Sequence, residues 1–295
     1  PLGKSQILPY LIGLRPFVKK MQIISFEKQD KIKTKEFDNL KCLLKDNNIA
    51  WKHHTFTKSK SSLYKLIDIV NFYKSFLVTC INLKPNLIHA RGHPMAIFAS
   101  SFKKIFKFKL IFDCRGMWAD EKISKGTWNL NFFLHKVQYN FVKIQEKKLL
   151  TKSDYIVFLT EKVKQHYESI HNIKLKNASV IPCAADYKLF NLNYHKIPKN
   201  TFSNNGQISF TFGYLGSIGP LYDFKGYLDL IKIALERGFQ VRGLVLTNNL
   251  DEALDYLNLS EFVKINSHIQ LLSVDRLEVP NYLEKFDYLV SFCKI

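Results

Sequence analysis

The sequence predicts an α/β protein built from two doubly wound parallel-sheet units in tandem. Three observations carry that prediction. Short β-branched and aromatic runs alternate with longer segments of helical period along the 295 residues. The short runs are largely apolar from end to end, as strands covered on both faces are, and helices between such strands cover both faces. One polar stretch rich in Asn and Lys, 186–207, interrupts the alternation, and a second series begins after it. The expected organisation is a first domain over 1–190, a linker over 191–206 and a second, incomplete domain over 207–295.

In chain order, MQIISFE (21–27), AWKHHTF (50–56), NLIHAR (86–91), KLIFDCRG (109–116) and SDYIVFLT (153–160) read as strands of the first unit. Between them, KEFDNLKCLLKDN, SLYKLIDIVNFYKSFLVTCI, HPMAIFASSFKKIF and NLNFFLHKVQYNFVKIQEKKLLTK read as helices. In the second unit, ISFTFGYLG and FQVRGLVLT are strands flanking the helix DFKGYLDLIKIALERG, followed by LDEALDYL, HIQLLS, VPNYLEK and FDYLVSF. The opening Gly3-Lys4-Ser5 resembles the end of a phosphate-binding loop, but that loop needs a strand and an earlier glycine before it. It reads instead as the turn into a first helix, with Ser5 at the cap position.

Composition narrows the partners. The chain holds 44 Lys+Arg against 25 Asp+Glu, a formal charge of +19, which favours an anionic partner such as a membrane face or a phosphorylated substrate. Nearly all of the surplus is Lys, a weaker reader of base edges than Arg, so nucleic acid is not the expected partner. Codon bias toward A and T yields the same mixture, so charge alone decides nothing. The five cysteines are dispersed without a CxxC pair, which argues against a disulfide framework or a zinc site and suits a reducing cytoplasm. No run of 18 apolar residues is present. A cytoplasmic protein is therefore expected, with peripheral attachment to the inner face of the plasma membrane as an option. The segment 94–109 sets Phe98, Phe102, Ile105 and Phe106 beside Lys103, Lys104, Lys107 and Lys109. Such a stripe either lies on an anionic bilayer or packs in the core with a solvated lysine face. No HExxH, GxSxG or Cys/His signature occurs, and no metal site is expected.

In open parallel sheets ligands sit beyond the carboxyl ends of strands. There LIHARGHP (87–94) offers His89, Arg91, Gly92 and His93, and IFDCRGMWADE (111–121) offers Asp113 and Arg115. A carboxylate beside a guanidinium suits a base or charge stabiliser next to an anion clamp, or else a structural ion pair bracing a loop. FTFGYLGSIGPLYDFKG (210–226) carries Gly213, Gly216 and Gly219 as GxxGxxG, which is not the dinucleotide pattern. Its small residues between strand and helix still suit a phosphate held by backbone N–H groups, with Lys225 adding charge.

The segments PLGKSQILPYL, PNLIHARGHP, FDCRGMWADE, SDYIVFLTE, VIPCAADYKLF, FGYLGSIGPLYDFKG and VPNYLEKFDYLVSF, in that order, resemble bacterial glycosyltransferases of family 4, which have the GT-B fold. The resemblance implies two Rossmann-like domains facing across a cleft. The nucleotide-sugar donor would be held mainly by the C-terminal domain and the glycan or lipid-linked acceptor by the N-terminal one. It also implies retaining, metal-independent transfer in cell-surface polysaccharide synthesis, with no cofactor beyond the donor as substrate. Residue by residue, it sets Gly3, Gly216, Ser217, Gly219 and Lys225 on the donor, and Asp113, Arg115 and His89 at the reacting sugar. Arg91, His93 and Lys4 fall on the acceptor side. Asp113 stands where many members have histidine, and Ser217 where many have arginine, so the phosphate clamp lacks one cation. Val279 and Pro280 begin the base-contacting loop. The resemblance further implies a strand before Pro1 and a carboxylate-bearing segment after Ile295, so that the sequence reads as a fragment truncated at both ends. The competing expectations are a sugar-nucleotide epimerase or hydrolase of the same fold, and a non-catalytic basic protein binding membranes or nucleic acid.

Overall fold

The computed structural model describes residues 6–56, 62–187, 189–190, 201–202, 208–219 and 222–293. The chain divides into two compact units, Pro1–Ala184 and Ala185–Ile295. The break thus falls ahead of the expected end of the first domain at residue 190. Of the expected linker, only Thr201–Phe202 lies among the described residues.

The first unit runs α1 (Leu8–Leu14), a 3-10 turn (Arg15–Phe17), β1 (Met21–Lys28), α2 (Gln29–Ile32), α3 (Lys35–Asp46), β2 (Ile49–Phe56) and α4 (Ser62–Leu83). It continues with β3 (Leu87–Arg91), α5 (His93–Phe106), β4 (Lys109–Cys114), α6 (Trp118–Ser124), α7 (Phe133–Lys152), β5 (Tyr155–Phe158), α8 (Glu161–His171) and β6 (Ala178–Val180). All six strands pair in parallel, in two ladders, β1-β2 and β3-β4-β5-β6. Local chemistry sets the helix ends. Thr34 and Thr160 accept from the backbone N–H of Phe37 and Val163 to cap α3 and α8. Gly92, at φ +80°, makes the turn from β3 into α5, whose first turn carries Pro94.

The first core is aromatic. Phe98 meets Phe72, Tyr73 and Phe76 edge-on, over a floor of Leu110, Phe112, Cys114, Ile156 and Phe158. Of the two readings of 94–109, core packing is the one its phenyl rings follow. Phe98 is buried, Phe102 packs edge-on or tilted among Tyr73, Phe76 and Phe98, and Phe106 packs on Phe102. Only Ile105 of that set faces outward, 69% exposed, and Lys103 is tied to Asp154 at 2.7 Å. The phenyl rings of this helix are spent on the core.

The second unit runs β7 (Thr201–Phe202), β8 (Ile208–Leu215), α9 (Phe224–Glu236), β9 (Gln240–Leu246), α10 (Leu250–Leu257), a 3-10 turn (Val263–His268), β10 (Ile269–Leu272), α11 (Val279–Leu283) and β11 (Tyr288–Leu289). Its sheet has the parallel order β10-β9-β8-β11, with β7 antiparallel to the start of β8. Tyr214, Phe224, Tyr227 and Leu228 pack with Val241, Val245, Leu257 and Phe262. The buried Tyr227 hydroxyl donates to the Phe212 carbonyl at 2.9 Å, so its polar atom is satisfied. Among the described residues no helix is long and apolar enough to cross a membrane, and all five cysteines are free.

Gly213 has a packing reason to be glycine. A Cβ there would fall 2.1 Å from the Phe286 ring. Gly213→Ala is therefore expected to cost about 1–3 kcal/mol by overpacking, seen as a lower urea midpoint by circular dichroism. Gly219→Ala, where a Cβ meets nothing within 4 Å, serves as the control and is expected to stay within about 0.5 kcal/mol.

Candidate functional site

In the parallel register Arg91 lies opposite Asp113, so β3 and β4 deliver their last polar residues to one spot. The Gly92 N–H donates to the Asp113 carbonyl at 2.9 Å, which locks the two turns together. The Asp113 carboxylate is 4% exposed. Around it lie Arg91 Nη1 at 3.2 Å, Arg115 Nη1 at 3.3 Å and His89 Nε2 at 3.5 Å. Gln6 Oε1 accepts from Arg91 Nη2 at 3.0 Å and Arg115 Nη2 at 3.5 Å.

Burial alone would raise the Asp113 pKa, but the bond from His89 and the charges of Arg115, His89 and Arg91 outweigh it and hold the carboxyl below its ordinary value. Arg91 is shifted down by burial and then by Arg115, against the pull of Asp113. It remains a cation, as guanidinium always does in proteins. Two guanidiniums therefore share one carboxylate, leaving a cationic excess at the carboxyl end of the sheet. That arrangement can hold an anion or orient sugar hydroxyls between carboxylate and guanidinium.

Of the expected residues, His89, Arg91, Asp113 and Arg115 come together. His93 does not join them. It begins α5 and turns inward, 1% exposed, with its ring edge-on to Phe112. The expectation that it meets an acceptor is corrected by that burial. Gly3 and Lys4 lie outside the described residues. Gln6 carried no motif, and only its place beside the glycine turn could have drawn attention to it.

Behind the cluster is a second network that the sequence reading missed. Glu146 of α7 is fully buried. Its carboxylate meets Lys143 Nζ at 2.6 Å, His93 Nε2 at 3.3 Å and His171 Nε2 at 3.6 Å, and accepts from the Tyr167 hydroxyl at 3.0 Å. Lys143 also reaches Asp120, which accepts from the Tyr139 hydroxyl at 2.8 Å. Burial would raise the Glu146 pKa, but the bonds from His93 and Lys143 and their charges bring it to about 2. Burial pushes the neighbouring Cys114 thiol up to about 12 and raises the Tyr167 phenol as well. Tyr167 Oη also lies 3.4 Å from the Gly116 carbonyl. The network thus braces the turns that follow β3 and β4.

The second unit offers a turn. Gly216, at φ +155°, ends β8 and donates to the Leu246 carbonyl at 3.1 Å. The Tyr214 hydroxyl holds the Ser217 carbonyl at 2.9 Å, and Asn249 Oδ1 accepts from the Ile218 N–H at 3.3 Å. A Cβ at Gly216 or Gly219 would meet nothing within 4 Å, so the backbone there is open to approach. Asp223 caps α9 by accepting from the Gly226 N–H. Lys225, in the first turn of α9, pairs at 3.3 Å with both Asp229 and Glu261. Those carboxylates, Glu261 first, raise its pKa. Among the described residues no group of three or more His, Cys, Asp or Glu could hold a metal ion.

Glu146 gives a direct test of the buried network. Removing one partner of a buried charge cluster costs about 3–5 kcal/mol, so Glu146→Gln is expected to lower thermal stability by that order at neutral pH. A depressed carboxylate contributes stability above its unfolded pKa and loses it as pH falls through the folded value. The gap between wild type and variant should therefore narrow between pH 4.5 and about 2 in calorimetric melts.

No protein-family model matches the chain, and no curated protein matches it in sequence. Solved structures do match in fold. Anabaena HepE in complex with UDP and glucose aligns at TM-score 0.56 and 13% identity, covering 91% of this chain and 73% of that one. Sucrose-phosphate synthase from Thermosynechococcus elongatus aligns at TM-score 0.55 and 12% identity, covering 92% and 75%. A Listeria monocytogenes chain described as a UDP-N-acetylglucosamine 2-epimerase aligns at TM-score 0.50 and 9% identity, covering 92% and 74%. The two α/β units, in this order along the chain, have the GT-B fold.

Proposed function

We propose that the protein transfers a sugar from a nucleotide-diphosphate donor to a hydroxyl of a glycan or glycolipid, in the manner of family 4 glycosyltransferases. The observation that carries this reading is the open Gly216–Gly219 turn at the carboxyl end of β8, leading into α9 with Lys225 in its first turn. Its fold is shared with a protein seen with UDP and glucose. In this reading the second unit holds the donor diphosphate and the first unit holds the acceptor.

The diphosphate leaving group gains negative charge as the glycosidic bond breaks. The backbone N–H groups of Ser217 and Gly219 and the Lys225 ammonium are suited to stabilise it, the Ile218 N–H being held by Asn249. Lys225 would exchange exposed carboxylate partners for phosphate, an exchange that costs little because exposed pairs are weak. Charge compensation from these groups is what supports the metal-independent form of the proposal. Asp113 is a poor general base, because an efficient one titrates near the working pH and Asp113 is held below its ordinary value. Its role here is to orient the reacting sugar, with Arg115 and His89, while the departing phosphate accepts the acceptor's proton and the configuration is retained. Synthesis of a cell-surface polysaccharide is the setting that fits such an acceptor.

The fold match to an epimerase supports a second reading, in which the same donor is bound and isomerised or hydrolysed. Product analysis separates the two. Incubation without acceptor yields altered or free sugar only in the second reading.

The first test is a thermal-shift panel of UDP-, GDP- and ADP-sugars, in which one class is expected to stabilise the protein. No shift with any of them would overturn the proposal. Lys225→Ala is expected to weaken nucleotide affinity about tenfold, the loss of roughly 1.4 kcal/mol from one charged hydrogen bond. Asp113→Asn is expected to leave nucleotide affinity unchanged and to lower turnover by at least tenfold, the span of about 1.4 kcal/mol in the barrier. Because Asp113 stays ionised above its lowered pKa, wild-type turnover should show no Asp113 inflection between about pH 5 and pH 9.

A further inference from the structure

We propose that the outward face of α7 docks on an anionic lipid bilayer. Phe133, Leu134, Val137, Phe141 and Ile144 fall within an arc of about 100° when each residue advances the helix by about 100°. Their exposures run from 48% at Val137 to 77% at Phe133, and Phe132 just ahead of them is 62% exposed. On the opposite side, Val142, Glu146, Leu149 and Leu150 are buried in the first unit. The helix is therefore apolar on two faces, and among the described residues only one of them is covered.

Charge selects the occupant. Glu146 is the sole carboxylate in residues 129–152, and it points inward. Lys136, Lys147 and Lys148 are exposed and have no carboxylate partner among the described residues. A groove of about 690 Å³ beside the C-terminal half of the helix is lined by Asn140, Ile144, Lys147, Lys148 and Thr151, with His171 and the paired Lys143 at its inner edge. Large apolar side chains rimmed by unpaired lysines suit the headgroup and acyl boundary, with lysines on lipid phosphate and phenyl groups below it. A second copy of this face would set the same lysines against each other, and nucleic acid would leave the phenyl groups unburied. At 20 residues, about 30 Å long, the helix is expected to lie in the interface plane.

The proposal does not depend on sugar transfer, since binding is read without donor or acceptor. Flotation of the full chain is measured with phosphatidylcholine vesicles, with and without about 30 mol% phosphatidylglycerol, at low salt and at about 0.5 M salt. The expected result is at least tenfold more bound protein on the anionic vesicles, falling at high salt. Phe133→Ser/Phe141→Ser and, independently, Lys136→Glu/Lys147→Glu/Lys148→Glu are each expected to abolish flotation with unchanged circular dichroism. All five side chains are exposed, so either variant can stand alone if the other misfolds. Equal flotation on neutral vesicles overturns the proposal, as does binding that survives both variants. It is also overturned if the wild type is a dimer that Phe141→Ser makes monomeric without any vesicle binding.

Discussion

The buried carboxylate of Glu146 is the interaction on which the first unit's architecture turns. It gathers Lys143 from its own helix, His93 from the start of α5, and Tyr167 and His171 from α8. An ionised carboxylate in a protein interior is tolerable only when its lone pairs are met by donors and its charge by cations. The close partners are therefore obliged to stay, and together they tie α7 to the start of α5 and to α8. Through His93 the network sets the residue after the Gly92 turn, and through Tyr167 it touches the Gly116 carbonyl. Those two turns deliver Arg91 and Arg115 to Asp113.

Asp113 and Glu146 show how one chemical group serves two purposes in neighbouring layers. Both are nearly or fully buried, and both are held below their ordinary pKa because surrounding donors and cations outweigh desolvation. They differ in what surrounds them. The partners of Glu146 include His93 and Tyr167, which are themselves buried, so the carboxylate is sealed, and only Lys143 and His171 at its edge reach the surface. The partners of Asp113 are His89, Arg91 and Arg115, all partly open to solvent. A carboxylate that is sealed but whose cations face outward organises a binding surface without titrating in the working range.

Much of the fold was legible in the sequence because parallel strands covered on both faces leave an unambiguous apolar signature. All five strands expected in the first unit are present, as are the helices of 35–47, 62–81, 93–106 and 129–152 within a few residues. The helices and strand not anticipated, α2, α6, α8 and β6, are short or polar, and packing or a cap such as Thr160 decides them. The convergence of His89, Arg91, Asp113 and Arg115 was readable because strand-end position follows from topology. Glu146 was not readable, since a glutamate in a lysine-rich helix looks solvated until its facing helices are known. The helix 94–109 was readable only as two alternatives, for the converse reason. Its phenyl stripe has helical period whether it meets lipid or, as here, Phe72 and Phe76.

The distribution of charge between the units bears on what the Gly216–Gly219 turn can do. In the first unit two guanidiniums crowd one carboxylate, whereas the second unit's turn carries Ser217 and has Lys225 shared between Asp229 and Glu261. Asp223 already supplies a negative group to the N–H of Gly226 at the start of α9. A diphosphate at Gly216–Gly219 would then rely on backbone N–H groups and shape more than on resident cations. Binding of that kind is directional and sensitive to the glycine conformation. The strained position is Gly216, whose φ of +155° suits glycine. Gly219 contributes only open space, so the two glycines of one turn do different physical work: Gly216 sets the path of the chain and Gly219 leaves room beside it.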